Sequence, residues 1–166
     1  MSTLAEGEAV ELTGAAILLG DPLVAPFTGD RCLAHVSVAR VFNRLDVAGD
    51  LIERIETFSI APFMIETPEG PVFILDMPSI IDLETIDLVW VRGDRAIEYL
   101  AARGLAAYVR SSFFEHAVVA DGEAVTVSGI CTREPDPTLE SSFRDLRVRT
   151  RLTGYTKHPL TLRRAR

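Results

Sequence analysis

Turn-forming clusters cut this chain into short runs, and that punctuation constrains its fold more than any other feature. Gly20-Asp21-Pro22, Pro26-Phe27-Thr28-Gly29-Asp30, Thr67-Pro68-Glu69-Gly70-Pro71, Asp121-Gly122 and Pro135-Asp136-Pro137 each favour a reversal or a break. Proline fixes φ and removes a donor, while glycine reaches backbone angles that other residues avoid. Between the breaks, apolar residues recur with a period of two, the mark of a half-buried strand. Ala9 to Leu19 reads as a first strand. Cys32, Ala34, Val36 and Val38 then share one face, with His35 and Ser37 turned to the other, solvated side. Ile52 to Ile60 is the expected hairpin partner of that strand, joined to it through Leu45 to Asp50. Phe63 to Glu66 and Val72 to Leu75 flank the proline-rich reversal as a short hairpin.

Helical periodicity is confined to one segment. Asp94 is a good N-cap, Ile97, Leu100 and Ala101 fall at i, i+3 and i+4, and Gly104 ends the run. A lone helix with so narrow an apolar stripe is expected to lie as a lid across one open end of a barrel or sheet. Strands then return at Ser112 to Val119 and Ala124 to Arg133, with Asp121-Gly122 as the turn between them. Beyond the second proline break Leu146, Val148, Thr150 and Leu152 alternate with Arg147, Arg149 and Arg151, and Pro159 to Leu162 supplies a closing strand. The predicted fold is mainly β: an antiparallel, closed or partly open barrel, OB-like, with one short α-helix. Closure removes the free edges that many short strands would otherwise expose. Residues 1–166 are expected to form one domain, its core at about 9–163.

Composition supports an ordinary globular chain. Of the 166 residues 48% are hydrophobic and 25% charged, which excludes disordered and collagen-like classes. No apolar stretch approaches the roughly 20 residues that cross a bilayer as a helix. The acidic N-terminus, with Glu6 and Glu8, does not read as a secretory signal, so a cytoplasmic location is expected. In such a compartment Cys32 and Cys131 are expected as buried thiols. A net charge of −7 argues against general affinity for nucleic-acid backbones. Residues 140–166 nevertheless hold eight Lys or Arg against two acids.

Several phrases carry a family resemblance. They are Pro26-Phe27-Thr28-Gly29 leading to Cys32; Pro62-Phe63, Ile65-Glu66 and Gly70-Pro71-Val72; Glu115, Gly122, Val125, Val127, Gly129, Arg133-Glu134 and Asp136-Pro137; and Pro159-Leu160-Thr161-Leu162. In order and spacing the chain resembles the GIDE-type, or beside-a-membrane, domain of mitochondrial membrane-anchored ubiquitin ligases and their bacterial relatives. The resemblance covers about residues 9–163. It implies a barrel-like domain used for interaction or regulation, with a protein partner at a membrane, so a location peripheral to a membrane through that partner is also expected. It does not imply ligase activity. The zinc module of those ligases needs closely spaced Cys and His, which this sequence lacks, and their transmembrane helices have no counterpart here. It carries no catalytic residue over.

Signatures of chemistry are few. Cys32, His35, Cys131, His116 and His158 are too scattered in sequence for a metal site, and Cys32 and His35, three apart on a strand, project to opposite faces. No phosphate loop, dinucleotide fingerprint or nucleophile elbow occurs. Asp76, Asp82 and Glu84 read as solvated loop charges. No catalytic residue, metal or cofactor is expected. The sharpest binding candidates are Arg147, Arg149 and Arg151, followed by Tyr155 and Lys157. Such a strip suits an acidic protein surface, anionic headgroups or single-stranded nucleic acid. The alternative is that the arginines pair with acids on neighbouring strands. Phe113 and Phe114 are adjacent, so one faces in and the other out, and Trp90 between Val89 and Val91 reads as a core or edge-packing residue. A non-catalytic interaction or regulatory module is the first expectation, a single-strand-binding barrel the second and an enzyme with an unrecognised site the third.

Overall fold

The structure, a computed structural model, describes residues 4–43, 49–88, 93–137 and 148–165. In chain order the strands are β1 (Ala9–Leu18), β2 (Leu23–Val24), β3 (Arg31–Cys32), β4 (Ala34–Phe42), β5 (Leu51–Ile60), β6 (Phe63–Thr67), β7 (Gly70–Ile74), β8 (Ile80–Asp82) and β9 (Ile86–Asp87). Helix α1 (Asp94–Ala101) and a 3-10 helix (Ala106–Ser111) precede β10 (Ser112–Val119), β11 (Ala124–Pro135), β12 (Val148–Thr153) and β13 (Thr161–Arg164). These elements fall into two compact units. One holds residues 1–21, 61–82 and 121–166, the other 22–60 and 83–120.

The first unit is a closed five-stranded barrel in the order β1-β6-β7-β12-β11, with β11 returning to β1. Most pairings are antiparallel, but β7 and β12 run parallel, as do β13 and β8. Closure depends on β1 changing partners along its length. Ala9–Ala15 pair with β11, and Ala16–Leu18 pair with β6. The strand coils tightly at the changeover, where a Cβ on Gly14 would stand 2.6 Å from Ile65 Cγ2. Alternation sends Phe63, Ile65, Val72, Ile74, Val125, Val127, Cys131 and Leu152 inward, and all are essentially inaccessible. Each large side chain among them contributes roughly 1.5–3 kcal/mol through burial.

The second unit is a four-stranded sheet, β5-β4-β10-β9, joined by the β2-β3 hairpin and the two helical segments. One sheet face presents Ala39, Val41, Phe114 and Ile55, and against it pack Phe27, Ala96, Leu100, Tyr99, Leu105, Tyr108 and Val109. The Pro26-Phe27-Thr28-Gly29 loop exists to place Phe27. Gly29, at φ +79°, donates to Ala25 O at 2.9 Å, and Thr28 Oγ1 donates to Asp30 Oδ2 at 2.6 Å. Phe27 is thereby held edge-on to Tyr99 and Phe114, each at a centroid distance of 4.9 Å.

Two expectations are corrected here, the N-cap of α1 and the solvation of His35. Of the barrel and the sheet, helix α1 takes the sheet of the second unit, and its buried residues are Ala96 and Leu100, with Ile97 40% exposed. Its N-cap is Gly93, and Asp94 lies in the first turn. The Asp121-Gly122 turn does lie between β10 and β11, although each strand pairs elsewhere. β10 pairs with β4 and β9, whereas β11 pairs with β1, β12 and β13. His35 is buried, not solvated, because β4 is a central strand with both faces covered from Ala34 to Ala39. Trp90 lies outside the described residues.

Gly129 stands where Leu160 and the backbone at Thr153 approach β11 closely. A Cβ there would meet Thr153 O and Leu160 Cδ1, both at 2.9 Å, and the carbonyl cannot move without breaking a β11–β12 or neighbouring contact. Gly129→Val is therefore expected to destabilise the protein by about 1–3 kcal/mol through overpacking. Urea unfolding measures this, and an unchanged midpoint contradicts it.

Candidate functional site

The predicted arginine strip lies on the outward side of β12. Arg147 falls outside the described residues. Arg149 sits opposite Glu134 of β11, and its Nε donates to Glu134 Oε1 at 2.6 Å. Arg151 donates from Nη1 to Glu134 Oε2 at 3.1 Å and forms a second ion pair with Asp76. The two guanidinium groups thus share one carboxylate and take a second, and their side chains are only 17% and 21% exposed. Arg149 also lies 5.4 Å from the Phe73 ring centroid. Of the two readings of these arginines, the geometry follows the one in which acids on neighbouring strands partner them.

Burial works against ionisation of Glu134, but hydrogen bonds and charge from Arg149 and Arg151 outweigh it and hold the carboxyl below its ordinary 4.5. Sequence reasoning missed Glu134 and Asp76 as parts of this cluster. The signal for Glu134 is its cross-strand register with Arg149, which only the β11–β12 pairing reveals. Asp76 follows β7, whose parallel pairing with β12 brings it to Arg151.

Tyr155 and Lys157 lie apart from that cluster on an exposed turn closed by mutual backbone hydrogen bonds between Tyr155 and His158, at 2.9 and 3.0 Å. Lys157 and His158 help line a shallow groove of about 380 Å3, with Val10, Glu11 and Ser128 opposite. Glu11 there is taken up by Arg163 at 2.8 Å and by Ser128 Oγ at 3.2 Å.

In the second unit a buried polar group interrupts the sheet. Ser37 Oγ and His35 Nδ1 are 3.3 Å apart, and His116 stands opposite Ser37 across the β4–β10 ladder. Burial, and secondarily the charge of His116, lower the pKa of His35. Cys32 and Cys131 are both free, and burial raises both thiols. Among the described residues no group of three or more His, Cys, Asp or Glu converges as metal ligands would.

Part of the other face of the sheet presents apolar side chains to solvent, although Val36, Val38 and Ala117 on that face are buried. Phe113 is 59% exposed and meets Phe42 edge-on at 5.7 Å, while Phe114 points into the core, as strand alternation requires. Leu51 of β5, paired with Phe42, and Phe58 further along it are also exposed. Beside them Arg40 and Glu115 form an ion pair. Comparison with protein-family models, with curated proteins and with solved structures returns no match.

The Glu134 cluster has a defined pH signature. A carboxyl whose pKa is lowered by folding adds stability that is complete above its unfolded value and is lost as pH falls through the folded one. Glu134→Gln is expected to cost about 1–2 kcal/mol at neutral pH. The gap between variant and wild type should close as pH falls below about 4.5. Urea unfolding of both proteins across the acid range measures it, and a gap that persists at low pH rules the assignment out.

Proposed function

We propose that this chain is a non-catalytic protein-interaction or regulatory module, and that Phe113 with Phe42 forms its contact with a partner protein. The observation that carries the reading is the exposed aromatic pair, two rings held edge to face on a rigid strand pair with one of them 59% exposed. Rigid aromatics lose little side-chain entropy on docking and supply much of the buried area at protein interfaces. The adjoining Arg40–Glu115 pair offers both signs of charge at the rim. The fitting partner is a protein that presents an apolar side chain flanked by polar groups. The GIDE-type resemblance favours a partner at a membrane, which would bring this chain to the membrane surface from the cytoplasm.

Single-stranded nucleic acid is the competing ligand, since small barrels bind it along exposed strands. Against it stands the neutralisation of Arg149 and Arg151 by Glu134 and Asp76. A phosphate would have to displace a carboxylate already in place.

The test is recovery of the complex from the native cell at endogenous level, followed by the same recovery with Phe113→Ser. This exposed change is expected to leave stability within about 0.5 kcal/mol while removing the partner. Equal recovery by both proteins overturns the reading. So does single-stranded oligonucleotide binding that persists at about 0.15 M salt and is unaffected by Phe113→Ser.

A further inference from the structure

Strand β5 is the longest free edge of the second unit. It runs ten residues and, among the described residues, pairs along one side only, with β4. The usual protections of such an edge are proline, charged side chains and above all lysine, short length or a bulge, and β5 carries charge of both signs at Glu53, Arg54 and Glu56. β5 contains no proline and no lysine, and its one irregularity lies at the far end, where Ile52 is skipped between the Val41–Glu53 and Phe42–Leu51 pairs. On alternate residues from Glu53 to Ile60 the backbone donors and acceptors point away from β4 and are arranged to accept another strand.

The sequence of β5 specifies which strand. A second copy meeting this edge antiparallel about a two-fold axis normal to the sheet keeps each residue opposite one on the same face, so the axis must pass through a residue. An axis at Glu53, Arg54 or Glu56 sets that charge against itself. An axis at Thr57 sets Glu56 against Phe58 and Arg54 against Ile60. An axis at Ile55 places Arg54 opposite Glu56 of the second copy, twice by symmetry, and Glu53 opposite Thr57. It also brings Ile52 next to Phe58 of the second copy, both now exposed at 43% and 48%. Arg54 and Glu56 are about half exposed and already within 3.0 Å of each other along the strand, so they can turn across the axis with little rearrangement.

We infer that the chain forms a symmetric dimer through β5, centred on Ile55, which joins two four-stranded sheets into one of eight strands. The inference rests on the strand edge and its charges, and it goes beyond the partner reading, which rests on Phe113.

Sedimentation equilibrium of the full chain tests it. The wild type is expected at twice the 18.2 kDa chain mass. Arg54→Glu and Glu56→Arg, each made alone, place like charges across the axis and should weaken self-association by about tenfold or more. Mixed together, the two variants restore opposite charges at both contacts and should associate with each other. The double swap Arg54→Glu with Glu56→Arg should restore the homodimer. Both sites are exposed, so circular dichroism and thermal unfolding should report an intact fold. Phe113→Ser should leave the dimer in place, which keeps this test separate from that of the partner surface. A wild type that stays monomeric at its solubility limit overturns the inference. Single charge variants that dimerise as the wild type does also overturn it.

Discussion

The barrel depends on the β1–β11 ladder, because that pairing joins the last strand of the five-stranded ring back to the first. β11 runs twelve residues and pairs with β1 along one edge and with β12 and then β13 along the other. Its inward side chains, Val125, Val127 and Cys131, are fully buried, and Gly129 between them lets Leu152 and Leu160 approach the backbone. The strand is covered on its other face as well, with Thr126 and Ile130 also buried. Removing bulk at one position and retaining it at three others lets the strand bend far enough to join both ends of the ring.

That closure also explains how two long segments can leave the barrel between its strands. The first point of departure and both points of return are tied to one another. Leu19 N donates to Pro62 O at 3.1 Å, Leu18 N to Asp121 Oδ1 at 2.8 Å, and Gly122 N to Ala16 O at 2.7 Å. With those points fixed, the ring keeps its register whatever residues 22–60 and 83–120 do between them. Those two segments then build their own core, in which β4 from the first pairs with β10 from the second. Loop closure between fixed ends adds only slowly with length, so insertions of this size are tolerated.

Strand positions were legible because two-residue alternation and turn residues are local signals. Ala9–Leu18, Phe63–Thr67, Gly70–Ile74 and Val148–Thr153 stand close to where the pattern places them. The partition into two units was not legible, since nothing near Asp121-Gly122 distinguishes a hairpin turn from a crossing between sheets. The turn is real, with Gly122 at φ +82°, but its hydrogen bond goes back to Ala16 instead of across to β10. The burial of His35 was hidden for a related reason. Alternation announces a half-buried strand, whereas a central strand covered on both faces tolerates a His–Ser pair only because the two satisfy each other. The basic strip was visible as charge, and its neutralisation was not, because Glu134 lies fifteen residues from Arg149 in sequence and directly opposite it in space.

Charge in this molecule therefore acts over contact distance more than as a long-range field. The excess of Arg and Lys near the C-terminus invites a phosphate-binding reading only while the acids are counted as distant. Once Arg149 and Arg151 are taken by Glu134 and Asp76, Arg163 by Glu11 and Arg164 by Glu123, all four of the described C-terminal arginines are occupied. Screening at physiological salt reduces what the remainder projects beyond about 8 Å. The same rule gives opposite results on β5. There Arg54 and Glu56 are two apart on one face, so each strand carries both signs and presents them in reversed order to an antiparallel copy. An acid placed across a ladder inside the barrel closes a surface, and an acid placed two residues along a free edge makes that edge complementary to itself.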